Sequence, residues 1–329
     1  MATRAALPGV EVALFDDLDA LAADAAGAMD AQVSPYHRLG WYRMTRDHVL
    51  GATPLVAARA RDGDDAAWLL LTAAGEAYAS WYSLRVGPVF SGAPRPDLLT
   101  AIVRALKPRF AHVALAPMEP ADAVLTLGAF RAAGWWTRES EATANWVAHV
   151  GGLSFDDYWA ARPSRLRNTV KRKAKAAALD IAIHARFDPA AWADYEAIYA
   201  ASWKPEEGSP AFLRAMVEGA GALRLGIARH AGQPIAAQLW TIDGGTATIH
   251  KLAYREDAKA LSAGSILGHA MFRHVLTHDR PATIDYGTGD DAYKADWMDE
   301  RRMLMRVEAW NPRTVGGVAR AAKARLLKG

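Results

Sequence analysis

The sequence predicts a mixed α/β protein made of two modules in series. Three observations carry this. The chain has 329 residues, which is about two domains at roughly 150 residues each. Short apolar runs broken by Gly and Asp alternate with segments of helical spacing along its whole length. The same order of elements runs twice without an internal sequence repeat. Gly151–Gly152 marks the break, giving modules 1–150 and 151–329.

In the first half, Val10–Leu14 reads as a short strand and Tyr36–Leu50 has helical spacing. Leu55–Arg59, Trp68–Thr72 and Ala77–Val89 read as strands between Gly and Asp turns. Pro96 opens a helix through Leu106 with Asp97 as its expected cap. His112–Ala116 reads as a strand, Ala121–Ala133 as a helix stopped by Gly134, and Thr143–Val150 as a strand.

In the second half, Ser154–Leu179 is helical with a break at Pro163, after which Ser164 is placed to cap. Asp180–Ala185 is a strand, and Trp192–Trp203 and Pro210–Gly219 are helices. Leu223–His230, Pro234–Thr241 and Thr246–Tyr254 form a three-stranded meander, its second turn spelled DGG. Ser265–Thr277 is a helix, Ala282–Tyr286 and Met303–Ala309 are strands, and Val315–Leu327 is a basic helix.

Composition removes several function classes. With no cysteine there is no disulfide framework, thiolate zinc site or cysteine nucleophile, which fits a reducing cytosol. The longest apolar run, near Ala66–Ala74, is too short to span a bilayer. The first residues lack a secretory pattern. A cytoplasmic setting is expected, with peripheral contact at the inner face of the membrane as an option. No GxSxG, P-loop or GxGxxG stands out, which weighs against hydrolase, NTPase and dinucleotide-binding readings. Charge is uneven: net −3 over residues 1–150 and +6 over 151–329.

Three segments carry candidate chemistry. Arg162–Lys175 (RPSRLRNTVKRKAK) holds seven basic residues and no acid. On a helix Arg165, Asn168, Arg172 and Lys175 share one face, and Leu166, Val170 and Ala174 another. The segment suits phosphates, an acidic carrier protein or an anionic membrane, and equally a solvated cationic face. Nucleic acid ranks low, because no aromatic residues interleave the charges. Arg255–Ile266 joins a strand to a helix start, where Gly264 lets a ligand approach, Ser262 or Ser265 can cap, and free amides suit phosphate. The ordinary alternative is a capped helix. Ile284–Asp299 (IDYGTGDDAYKADWMD) ends a strand in Asp285 and packs Asp290, Asp291, Tyr293, Lys294 and Asp296 within a short loop. Such a set suits acid/base work, or is a polar turn. Its spacing matches no calcium loop, and no metal is expected. His250, on the strand Thr246–Tyr254, is either a satisfied core group or a site group.

Together these pieces resemble the FemAB/CelD-like branch of the GNAT acyltransferases over about residues 155–310. The resemblance rests on HKLAY at His250–Tyr254, SAG at Ser262–Gly264 and DYGTGDDAYKADW at Asp285–Trp297. Ala263 stands where the family has proline, and Tyr286 replaces a phenylalanine. It implies tandem GNAT-like modules, each a mixed, mostly antiparallel sheet flanked by helices, with the catalytic one C-terminal. It also implies N-acyl transfer to an amine from acyl-CoA or the phosphopantetheine of an acyl carrier protein. A bulged strand at His250 would open a slot for the thioester. His250 or Asp285 would be the base and Tyr293 the acid. Lys251, Ser262, Gly264, Ser265, Lys294, Arg165 and Arg172 would hold the donor. Bacterial ceramide synthases look like this branch, so a sphingoid long-chain base is one implied acceptor. An amino sugar of exopolysaccharide synthesis, a Fem-like aminoacyl-tRNA ligase and a non-catalytic polyanion binder are the alternatives.

Overall fold

The computed structural model describes residues 9–219 and 222–326. In chain order the first elements are β1 (Glu11–Phe15), α1 (Leu18–Ala25), α2 (Leu39–Thr45), β2 (Leu55–Asp62), β3 (Asp65–Thr72), β4 (Val89–Ser91), α3 (Pro96–Leu106), β5 (His112–Met118), α4 (Pro120–Ala132) and β6 (Trp136–His149). There follow α5 (Phe155–Ala160), α6 (Ser164–Ala177), β7 (Asp180–His184), α7 (Pro189–Ala200), α8 (Pro210–Gly219), β8 (Leu223–His230), β9 (Gln233–Asp243), β10 (Thr246–Tyr254), α9 (Ala263–His274), β11 (Thr283–Thr288), β12 (Glu300–Trp310) and α10 (Val315–Leu326). The described chain divides into two compact units. One runs up to Thr143 and resumes at Met303; the other is Ala144–Arg302.

In the first unit, sheet order is β1-β2-β3-β4, all antiparallel. The apolar run that builds β3 is explained by period-two burial on both faces. Ala67, Leu69 and Leu71 join Leu98, Leu99, Ile102 and Leu106 of α3 in one core. Ala66, Trp68 and Leu70 join Leu18 and Leu21 of α1 in another. Asp17 starts α1 by accepting from the amides of Asp19 and Ala20 at 3.0 and 2.8 Å.

Several expectations change here. Asp97 does not cap α3: Pro96 starts the helix after Arg95, whose guanidinium binds Asp97 at 2.7 Å. Ala77–Val89 is not a continuous strand. Ser83 turns back on Ser80, its hydroxyl accepts from Trp41 Nε1 at 2.9 Å, and pairing with β3 is limited to an isolated bridge Leu71↔Ala77 and the strand Val89–Ser91. The division falls inside β6 rather than at Gly151, and α10 groups with the first unit. The cause is β12, which pairs with β5 in the register Trp310↔His112. Asn311 then donates to the carbonyls of Lys107 and Phe110 at 2.8 and 3.2 Å. Leu326 is exposed, and Leu327 lies outside the described residues.

The second unit orders its strands β6-β11-β10-β9-β8-β7. Gly244 and Gly245, both at positive φ, close the β9–β10 hairpin between Asp243 and Thr246. Trp240, Ala236 and Ile249 share a core with Leu267, Met271 and Phe272 of α9. Ser154 caps α5, its hydroxyl accepting from Asp157 N at 3.1 Å. Ser164 is the first residue of α6 and makes no capping bond. Of the apolar face expected on α6, Leu166 and Val170 are buried, whereas Ala174 is exposed. Among the described residues no helix is long and apolar enough to cross a membrane.

Candidate active site

The site is built where two neighbouring strands part. β10 and β11 pair in parallel, joined through α9, but only from Thr246↔Thr283 to Thr248↔Asp285. Just beyond, β10 carries an extra residue: Ile249 opposes Trp240 and Lys251 opposes Leu239, so His250 is bulged out of the ladder. A cleft of about 290 Å³ opens next to this parting. Leu252 and Tyr254 of β10, Tyr286 of β11, and the turn Ser262–Ser265 that begins α9 line it. Tyr293 and Trp297, from the loop after β11, complete its wall.

The cleft holds five of the candidate residues, among them Asp296, which is paired with Arg165. Ser262, at φ 55°, turns the chain into α9, and its side chain makes no capping bond. Gly264 lies against Tyr254: a Cβ there would meet the ring at 3.2 Å. Ser265 follows in the first turn. Tyr293 packs edge-on to Tyr286, centroids 5.7 Å apart, and burial raises its phenol well above the ordinary value. It therefore stays protonated at neutral pH.

His250 and Asp285 do not line the cleft. His250 Nε2 lies 2.8 Å from Thr241 Oγ1, and burial pushes its imidazole down to about 4. It is neutral at physiological pH and a weak proton acceptor. Asp285 is buried, and its Oδ1 accepts from Asn145 Nδ2 at 2.7 Å and Gly287 N at 2.8 Å. The carboxylate thus shapes the turn that leads to Tyr293.

The expected donor ligands scatter. Lys294 is buried, and its Nζ donates to the carbonyls of Thr288 at 2.7 Å and Gly289 at 3.2 Å. Burial lowers its pKa. It pins the GTGD loop rather than facing the cleft. Lys251 pairs with Glu207 at 2.6 Å, above the Tyr199 ring. Arg165 is exposed and bonds Asp296 Oδ1 through Nε and Nη2, at 3.1 and 2.5 Å. Arg172 lies on the exposed side of α6. Arg162, counted with the basic run, is buried instead and donates to Trp297 O at 2.8 Å. A guanidinium can satisfy several buried acceptors at once, so one residue of a charge run can turn inward.

Sequence reasoning passed over three participants. Asn145, fully buried, joins Asp285, Gly287 O and Arg302. Gln238, on β9, receives Trp240 Nε1 at 2.9 Å and lines the cleft. Trp203 packs at a tilt against Tyr254, ring centroids 4.2 Å apart. Asn145 and Gln238 were legible only as polar residues inside otherwise apolar strands. No metal-binding group of side chains occurs among the described residues.

Comparison with known proteins agrees with this geometry. Residues 164–295 match the family model of the acetyltransferase (GNAT) domain. No curated protein sequence matches the chain. One similar solved structure is the C-terminal domain of a protein assigned as a lysylphosphatidylglycerol synthetase from Agrobacterium fabrum. It is 14% identical, with 94% of this chain and 97% of that one covered and a TM-score of 0.57. FemX is 10% identical, covering 81% and 94%, with a TM-score of 0.55. A tandem GNAT protein from the clavulanic acid biosynthesis pathway is 14% identical, covering 93% and 100%, with a TM-score of 0.51. The fold is the tandem GNAT-like one that the sequence predicts, with mostly antiparallel sheets flanked by helices. Domain match and fold together support an acyltransferase.

Proposed function

We propose that the protein transfers an acyl group from a thioester, acyl-CoA or a carrier protein's phosphopantetheine, to an amine. The observation that carries this is the parting of β10 and β11 after Thr248↔Asp285, next to the cleft that Leu252, Tyr254 and Tyr286 line. Beyond the last pair, the facing backbone groups no longer bond each other, so an extended, amide-bearing arm can take the place of a strand between them. The first turn of α9 offers amides and a positive dipole end to the donor's phosphates. Gly264 keeps that approach open. Arg165 and Arg172 extend a cationic surface toward the same polyanion.

Tyr293 is the proposed general acid. The amine attacks the thioester carbonyl as the free base. The C–S bond breaks, the leaving sulfur takes the phenolic proton of Tyr293, and the proton shed by nitrogen returns to the phenolate through solvent. His250 and Asp285 are assigned as positioning residues: one fixes the bulge, the other the turn at Gly287. Lys294 holds the loop that carries Tyr293.

A second reading is aminoacyl transfer from a charged tRNA, favoured by the likeness to FemX and to the lysylphosphatidylglycerol synthetase domain. Peripheral contact with an anionic membrane would suit the exposed cations of α6 in either case. The test is incubation of the full chain with palmitoyl-CoA and a panel of amines that includes sphinganine and glucosamine, read by mass spectrometry. Amide product with free CoA supports the thioester reading. Product formed only with aminoacyl-tRNA overturns it.

A further inference from the structure

The second unit contains another cavity, of about 370 Å³, that the donor cleft does not use. Its floor is a stripe of α7: Trp192, Tyr195 and Tyr199, spaced three and four residues apart and so on one face. Their ring centroids follow at 4.7 and 5.9 Å. Residues 204–207 and Leu213 of α8 close the other side. Seven steps of 1.5 Å from Trp192 to Tyr199 make the stripe about 10 Å long, which suits an elongated apolar body rather than a compact one.

One end of this cavity is polar and lies beside the bulge. Tyr199 and Glu207 line it. Lys251, the residue after His250, sets its ammonium 2.6 Å from Glu207 Oε2 and 5.5 Å from the Tyr199 ring centre. A primary ammonium thus already rests on this carboxylate and this aromatic face, the two groups that best hold one. The loop that bears Lys204 also bears Trp203, which lines the donor cleft. One short segment therefore walls both spaces.

We infer that this cavity is the acceptor site, taking a primary amine on an elongated apolar body with the nitrogen at the Glu207–Lys251 end. The inference rests on the N-acyl transfer reading. The lining favours an amine over a carboxylate, because Glu196, Glu206 and Glu207 outnumber Lys204 in the wall and Lys251 at its polar end. Lys204 has a second effect. Its ammonium is half-buried, with its own pKa lowered by burial and by Lys251. Lys204 and Lys251 offset part of the negative lining, so it holds the bound nitrogen as an ammonium less strongly than the three carboxylates alone would.

Calorimetric titration of the full chain with octylamine, octanoate and octanol, without donor, tests this. Octylamine should bind at least tenfold more tightly than the other two. Ala200→Trp, on the exposed end of α7, should weaken it at least tenfold, as should Tyr199→Ala, while palmitoyl-CoA binds both variants as it binds wild type. Equal affinity for the three probes, or octylamine binding unaltered in both variants, overturns the inference. Failure of palmitoyl-CoA to bind any form would instead strike the thioester reading, and the two failures are read separately.

Discussion

In the first unit the β2–β3 ladder runs unbroken from Leu55↔Thr72 to Asp62↔Asp65. In the second, the β9–β10 ladder skips His250, and β10 leaves β11 after three pairs. The space beside each ladder follows. A cavity of the first unit, lined by Tyr36, Tyr42, Leu69 and Arg85 among others, holds about 10 Å³. The cleft beside the bulged strand of the second unit holds about 290 Å³. Continuous pairing lets alternate side chains fill both faces of a sheet. A bulge and a parting leave backbone and volume unfilled, and a ligand can supply what is missing. This difference is why the proposed chemistry is assigned to the second unit.

The comparison breaks most readily at its buried polar groups. Asp285→Ala removes the acceptor of Asn145 and Gly287 N and should cost about 2–4 kcal/mol, read as a fall in urea midpoint at constant m, with transfer lost as the loop to Tyr293 loosens. Ser83→Ala in the first unit removes the acceptor of Trp41 Nε1. It should cost about 1–2 kcal/mol and leave transfer unchanged.

Acid stability should treat the two units alike. Burial pushes both His37 and His250 down to about 4. The unfolded imidazoles take up protons near pH 6.5, before the folded ones do. The stability each contributes is therefore complete above about pH 6.5 and declines as pH falls toward 4, by about 3 kcal/mol per residue. His37→Gln and His250→Gln should each flatten that decline in urea titrations. A flattening seen with one only would separate the units.

Chemistry should separate them next. Tyr293→Phe should lower kcat about 100-fold, with little change in KM for the donor. Tyr42→Phe, a buried phenol of the first unit, should leave kcat as it is. The smallest effect is at the surface. Arg165→Ala and Arg43→Ala each break an exposed ion pair, worth less than about 1 kcal/mol, so melting should barely move. Only Arg165→Ala should weaken acyl-CoA binding, by a few-fold, and the loss should fade at high salt.

Much of this contrast was legible in the sequence. The DGG turn marked the hairpin, Trp68–Thr72 read as a strand, and SAG and DYGTGDDAYKADW pointed to the turn and the loop that wall the cleft. What escaped depends on pairing between distant segments. Nothing near Gly151 tells that β12 returns to β5. Nothing in the run of charges tells that Arg162 turns inward to Trp297 O, or that Lys294 serves loop carbonyls. Ala77–Val89 has strand composition, but Trp41, far away in sequence, takes the Ser83 hydroxyl inside it. Local pattern gives element type; the partner of a polar side chain is a tertiary fact.

The account stands on the donor entering the second unit at the first turn of α9. The direct measurement is the Kd of the full chain for palmitoyl-CoA in two matched variants. Gly264→Val puts carbon where Tyr254 lies 3.2 Å from a Cβ. Gly87→Val does so beside the small cavity of the first unit, where a Cβ has ordinary contacts with Asp122 and Met118. Gly264→Val should weaken binding at least tenfold and Gly87→Val should leave it unchanged. Retained affinity in Gly264→Val together with loss in Gly87→Val would contradict the account.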